Sequence, residues 1–328
     1  MDDKRTKLTA LDSFMCFMYS LVMPILFSAA FTAILVVLSY VSQVEYEIFI
    51  SQWLVKGVSY TLSSLTFLFI FIYYYKKNSI SFKDTVNYTK NYNVYSILIM
   101  VALSIVLVFG FSNFIGLVDH LYALMGYTPS TDLPIKINSV ENLLVSLCLW
   151  AVMPAICEEL LFRGIIFKGL TSKFKPFHAM LIGGALFSLM HGSLQQTLYQ
   201  FILGVILCFV YFKTDNIVYP IILHFLNNAT VVVLEYFMEV YRFSFDLSYT
   251  TAGGVVLSIV IMLVASVGVL ALIYLLSKAN TKKYEHIVAT EYEVMENTTS
   301  IRYNKWMKWS IIIGVVLWLT NTISTWIE

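Results

Sequence analysis

The sequence predicts an all-α, polytopic integral membrane protein of eight or nine transmembrane helices, with a four-helix core around buried polar residues. Three observations predict it. The 328 residues are 59% hydrophobic and only 12% charged, with a mean hydropathy of +0.77, where soluble domains carry about 25% charged residues. Long apolar runs recur along the chain. Lys and Arg alternate between the intervening loops, as a membrane topology requires.

No soluble fold of this length could bury so much apolar surface, so lipid must be its main solvent. A formal net charge of +1, with no concentrated basic patch, argues against a nucleic-acid partner. Cys16, Cys148, Cys157 and Cys208 lie in apolar runs without paired spacing. They read as small buried hydrophobes rather than a disulfide framework or a metal set. The basic N-terminal stretch (Lys4, Arg5, Lys7) precedes an apolar run over 14–42. A secretory signal core has about 7–15 apolar residues, so this run reads as a retained first span.

The spanning runs fall at 14–42, 53–75, 94–118, 142–163, 196–213, 217–240, 252–277 and 309–327. A helix needs about 20 residues to cross roughly 30 Å of hydrocarbon, and in lipid only a helix satisfies its own backbone within such a run. A shorter run, 177–192, is marginal as a ninth span. The basic loops 76–93 (Lys76, Lys77, Lys83, Lys90) and 168–176 (Lys168, Lys173, Lys175) group with the N-terminus and with 278–308. The acidic loops 43–52 (Glu45, Glu47) and 119–140 (Asp119, Asp132) alternate with them. This arrangement predicts a multi-pass protein of the cell membrane with a cytoplasmic N-terminus. The organisation expected is N-terminal helices over 1–141, a catalytic core over 142–240, and C-terminal helices over 241–328 with a cytoplasmic loop at about 278–308. The first three and last two spans read as generic lipid-facing helices.

A charge at mid-bilayer costs at least about 2.5–3.5 kcal/mol, and such residues mark function. Glu158, Glu159 and Arg163 lie near the end of the fourth span, His191 ends the short segment, and His224 and Asn228 lie in the run 217–240. Glu159 and Arg163 are four residues apart, one helical turn, where an ion pair would offset both burials. That pair reads as structural as readily as functional. His224 and Asn228 share the same spacing, as do Phe187 and His191. Glu158 is rotated about 100° from Glu159 on a helix and stands apart from the pair. Two adjacent carboxylates with one cation leave one without a partner, and such a group in apolar surroundings suits a general base.

Hydrolysis is the chemistry these groups suggest. A carboxylate can activate water, one imidazole can carry the proton, and a second imidazole with an amide can stabilise an oxyanion. Glu158, His191 and His224 could instead hold Zn²⁺ as a two-His, one-carboxylate set, although the H-E-x-x-H helical motif is absent. Serine catalysis fits less well without a G-x-S-x-G turn. A transporter would be expected to show repeat symmetry and paired broken helices, and none is visible. His191 must reach the depth of Glu158, so 177–192 is expected to tilt or stop short. Gly183 and Gly184 permit close helix approach, and Pro154 and Pro220, each four residues before a site residue, are expected to kink their helices.

Glu158-Glu159-x-x-x-Arg163, Phe187-x-x-x-His191 and His224-x-x-x-Asn228, in that order on successive helices, resemble the motifs of the CAAX-protease and bacteriocin-processing family, the type II CAAX prenyl endopeptidases. The resemblance covers about 142–240. It implies peptide-bond hydrolysis without a covalent intermediate in a membrane cavity. By position it implies Glu158 as the water-activating residue and His191 as its partner. His224 and Asn228 would form the oxyanion pair, with Glu159, Arg163 and Phe187 in support. It implies no cofactor, with zinc as the alternative, and a membrane-associated peptide or protein as substrate. A non-catalytic bacteriocin-immunity or signalling scaffold is the competing reading, and the residues say nothing of oligomeric state.

Overall fold

The computed structural model describes residues 8–45, 53–78, 92–127, 136–242, 249–280 and 305–327. The described residues form nine helices: α1 (Ala10–Ser42), α2 (Trp53–Lys77), α3 (Val94–Leu124), α4 (Val140–Thr171), α5 (Pro176–Met190), α6 (Leu194–Thr214), α7 (Val218–Tyr241), α8 (Ala252–Ala279) and α9 (Lys305–Ile327). All except α5 are long and apolar enough to cross a membrane, and the chain is an all-α polytopic membrane protein. The expected positions Lys4, Arg5, Lys7, Glu47, Lys83, Lys90 and Asp132, and most of 278–308, lie outside the described residues.

Local chemistry sets the helix ends. Thr9 and Asp12 form a reciprocal capping box at α1, satisfying two N-terminal backbone donors. The side chains of Asn93, Ser139, Ser193 and Thr251 each accept a backbone N–H at the start of α3, α4, α6 and α8, as capping residues do. Pro176 opens α5 in its first turn, where its missing N–H costs nothing. Gly192, with φ of +62°, makes the left-handed turn between α5 and α6 that other residues resist.

The first helix, the end of the second and the end of the fourth meet at one end of the molecule. Lys77 Nζ lies 3.6 Å from Asp12 Oδ1, and Ser13 Oγ donates to the Ile166 carbonyl at 2.7 Å. Lys77 and the end of the fourth helix that leads into the basic loop 168–176 therefore share one end with the start of the first.

Two buried clusters organise the interior. One joins α1 (Phe14, Phe17), α2 (Phe71, Tyr74), α4 (Leu161, Ile165) and α5 (Phe187). The other joins α3 (Leu103, Leu107), α7 (Leu223) and α8 (Ala265, Val269). The sixth helix serves both, with Cys208 and Tyr211 in the first and Leu203 and Leu207 in the second. The hairpin of α5 and α6 closes on glycines. A methyl group at Gly204 would stand 2.9 Å from Gly184 Cα and 3.1 Å from Phe187 Cβ. With lipid outside, close backbone approach is what lets such helices associate.

Three expectations change. Cys148 is exposed rather than buried, because it lies on the outer side of α4. Pro220 occupies the first turn of α7, where no helical bond is broken, so it makes no kink. The flanking helices are also less generic than expected: α1, α2 and α9 each pack residues against the core, although α1 and α8 still leave most of their length exposed.

The glycine contact can be tested by thermal unfolding in detergent. Gly204→Ala should destabilise by about 1–3 kcal/mol through overpacking. Gly253→Ala, where an added methyl meets nothing within 4 Å, should melt like the wild type.

Candidate active site

The fourth helix runs unbroken over 140–171 but changes winding twice. Residues Cys148–Val152 and Phe162–Phe167 are π-helical, and the α-helical turns Met153–Leu161 between them carry Glu158 and Glu159. Single π turns inside α-helices occur often at functional sites. Pro154 accounts for the first. It has no N–H to give the carbonyl four residues back, Trp150, and Asn228 Nδ2 of α7 donates to that carbonyl at 3.1 Å.

Glu159 is the hub of the buried polar groups. Its Oε1 accepts from Arg163 Nη1 at 2.7 Å and from His224 Nδ1 at 2.8 Å. Arg163 Nη2 donates in turn to the Gly204 carbonyl at 3.0 Å. Glu159 and Arg163 are both fully buried. The guanidinium carbon stands 4.9 Å from the centre of the Phe187 ring, a cation–π contact that supports a charge away from water. One carboxylate thus links α4 to α7 and, through Arg163, to α6.

Phe187 gathers both imidazoles. Its ring centre is 4.7 Å from that of His191 and 5.8 Å from that of His224, both edge-on. The hairpin of α5 and α6 makes this possible. With 15 residues, α5 is about 22 Å long at 1.5 Å per residue, too short to carry His191 across a bilayer, as the sequence suggests.

The hydrogen bonds decide which ring nitrogen is available. His191 Nδ1 is 2.8 Å from the Phe187 carbonyl. A carbonyl can only accept, so Nδ1 carries the proton and a neutral ring offers Nε2 as acceptor. His224 Nδ1 meets the Glu159 carboxylate, so its Nδ1 also donates and its Nε2 is left over.

Glu158 differs from its neighbour. It is 8% exposed. Its Oε2, like that of Glu159, is buried with no hydrogen-bond partner among the described residues, but no guanidinium or imidazole bonds to it as both do to Glu159 Oε1. It lies within electrostatic range of His224, Glu159 and Arg163. Asn228 spends an N–H on Trp150, and its Oδ1 lies 3.4 Å from Asn227 Nδ2. Asn227 in turn accepts a short hydrogen bond from Tyr199 OH.

A cavity of about 580 Å³ reaches His191 from between α1, α2 and α9. Among the described residues, no three His, Cys, Asp or Glu side chains come together as a metal-ligand set. Glu158, His191 and His224 are therefore not gathered as a three-ligand set in this arrangement, although the Nδ1 bonds of both imidazoles leave Nε2 of each as the ring nitrogen a metal would take.

Comparison with known proteins bears on this core. The family model described as "Type II CAAX prenyl endopeptidase Rce1-like" matches residues 140–230, the stretch from the start of α4 into α7. Residues 140–230 are thus similar to the type II CAAX prenyl endopeptidase Rce1-like family. A Bacillus subtilis (strain 168) protein named "Putative membrane peptidase YdiL" is 34% identical over 85 residues. That match covers 26% of this chain and 35% of the relative, so the chain spans about a third of the length of the curated relative it matches. No solved structure matches the chain. The family segment contains Glu158, Glu159, Arg163, Phe187, His191, His224 and Asn228; α1, α2, α3, α8 and α9 lie outside it.

Several residues of the site escape sequence reading. The Trp150 and Gly204 carbonyls act through backbone atoms, which residue identity does not announce. Pro154 and Gly184 are the nearest signals, since one frees a carbonyl and the other lets α6 come close. Tyr199 and Asn227 are polar positions in apolar runs, the same kind of signal that marks His224 and Asn228.

Breaking the hub should be costly. Glu159→Ala leaves Arg163 buried without its counter-charge, a loss of about 3–5 kcal/mol that a large drop in melting temperature in detergent would report. The double variant Glu159→Met, Arg163→Met should recover part of that loss.

Proposed function

We propose that this protein is an intramembrane endopeptidase that hydrolyses a membrane-associated peptide or protein with water activated by Glu158. The observation that carries this reading is the contrast between adjacent carboxylates. Both keep a buried Oε2 without a partner among the described residues, but the guanidinium and an imidazole bond only to Glu159, through its Oε1, and neither bonds to Glu158. A carboxylate so placed can bind a water molecule and take its proton as the oxygen attacks a peptide carbonyl.

His191 fits the neighbouring proton step, because its bond to Phe187 directs the lone pair of Nε2 away from the backbone. His224 can donate from Nε2 only when doubly protonated, and the Glu159 carboxylate against Nδ1 is the counter-charge for that state. Together with the second N–H of Asn228, this donor would stabilise the oxyanion of the tetrahedral intermediate. The proton taken by the carboxylate passes to the leaving amine, and the intermediate collapses to a free carboxylate and amine.

The family match and the peptidase name of the relative support the reaction class. The meeting of Lys77 with Asp12 at the start of α1, beside the end of α4 that leads into the basic loop 168–176, supports a topology in which α1 begins on the cytoplasmic side. The mechanism proposed needs no metal, because the carboxylate itself takes the proton of the attacking water.

Cleavage of a fluorescence-quenched peptide by purified protein in detergent tests the reading. Glu158→Gln should abolish cleavage, a loss of at least about a thousandfold, since general-base groups alone contribute roughly 10²–10⁴, while the melting temperature stays close to that of the wild type. Wild-type turnover by the Glu158→Gln protein would refute the assignment. Chelation should leave activity unchanged, and zinc lost in step with activity would replace the metal-free mechanism.

A further inference from the structure

The cavity that ends on His191 is walled mainly by helices outside the family segment. Leu21 of α1, Tyr60 and Ser63 of α2, and Leu317, Trp318 and Asn321 of α9 line it. Two hydrogen bonds fasten α9 to the α5–α6 hairpin that carries His191: Trp318 Nε1 donates to Thr197 Oγ1 in the first turn of α6 at 2.8 Å, and Asn321 Nδ2 to the Gly192 carbonyl at 2.5 Å. On the α2 side, Tyr60 packs edge-on against Trp150, with ring centres 5.8 Å apart, and the Trp150 carbonyl is the one Asn228 holds. The cavity therefore ends on the His191 turn, and one of its wall residues, Tyr60, backs onto the π turn that precedes Glu158. A chain lying in it would meet His191 at one end.

The walls suit carbon. Of the hydroxyls that line the cavity, those of Ser20 and Ser63 donate to carbonyls of their own helices, at 2.7 and 3.1 Å. Among the described residues, no Asp, Glu, Lys or Arg lines it. Its volume of about 580 Å³ falls in the range of roughly 300–1,000 Å³ typical of ligand pockets, room for more than one side chain.

We propose that α1, α2 and α9 form a recognition pocket for apolar side chains flanking the scissile bond, and that Ser63 and Leu317 set the size of side chain accepted. The inference rests on the peptidase reading. The occupant is peptide rather than a lipid acyl chain because the pocket ends on an imidazole that the proposed chemistry needs beside a peptide bond. Recognition is thus supplied by helices outside the family core, and reaction by residues within it.

Two experiments test the pocket. In the first, quenched-fluorophore peptides differing only in the size of the apolar residue beside the cleaved bond (Ala, Leu or Trp) are assayed in detergent micelles. Leu317→Ala should raise the kcat/KM ratio of the Trp over the Ala peptide about tenfold, and Ser63→Phe should lower it by a similar factor. Discrimination by a methylene-sized difference in an apolar pocket is roughly 10–200-fold. If both variants scale all three peptides equally, the residues are structural and the proposal falls. In the second, photoreactive p-benzoylphenylalanine replaces Thr320, another lining residue, in the Glu158→Gln protein reconstituted in phosphatidylcholine vesicles. Capture of the Leu peptide supports the pocket, and adducts with phospholipid alone overturn it. Capture needs no turnover, so capture combined with no cleavage by the wild type would leave the pocket standing and remove the hydrolytic reading instead.

Discussion

Glu159 places one carboxylate oxygen between a guanidinium and an imidazole, 2.7 and 2.8 Å away, with no exposure of its side chain. In a lipid-embedded interior there is no bulk water to replace either partner, so separation would leave charges at a cost that few other contacts could offset. Three helices are located by this arrangement. The fourth carries Glu159 and Arg163, the seventh supplies His224, and the sixth approaches closely enough for its Gly204 carbonyl to accept from Arg163. The position of Phe187, against which both imidazoles and the guanidinium pack, follows from the same constraint. Because the hub consumes the cationic groups, the adjacent Glu158 is left without a bonded counter-charge. The asymmetry between two neighbouring, chemically identical side chains is what supports separate structural and reactive roles.

The backbone around the carboxylates is shaped to the same end. Two π segments bracket the α-helical turns that hold them, and each alters the direction in which later side chains point relative to an undisturbed helix. The first coincides with Pro154, and the carbonyl that proline leaves without its usual donor is taken by Asn228. Asn228 is therefore a tie between α7 and α4 as well as a candidate donor to substrate. The line from Tyr199 through Asn227 to Asn228 extends this tie to α6, so the amide orientation depends on three helices together.

Around this core the remaining helices divide into two kinds. The eighth packs on the third through small residues, with Ala265 close against Gly110, and otherwise presents apolar side chains outward, as a helix in lipid should. The first, second and ninth have polar tasks as well as apolar surfaces. Ser13 bonds to the Ile166 carbonyl beside the second π segment, and Trp318 and Asn321 hold the α5–α6 hairpin that carries His191.

Composition and run length alone determined that this is a helical membrane protein, because the demand that every backbone group be satisfied in lipid admits few alternatives. The i,i+4 spacing of Glu159 and Arg163 determined their pairing, since one helical turn brings them together whatever surrounds them. The shortness of 177–192 and its paired glycines signalled that His191 would be lifted to its neighbours, and α5 does stop short. What only the tertiary structure decided are contacts between residues far apart in sequence. His224 binds Glu159 across 65 positions, Asn228 binds Trp150 across 78, and Asn321 binds Gly192 across 129. Periodicity reports which face of a helix a residue occupies but not which helix lies opposite, so spacing could name the polar residues without saying which would become partners. The proline expected to kink α7 shows the same limit from the other side. The effect of Pro220 depends on whether a turn of helix precedes it, and the packed chain begins that helix only two residues earlier.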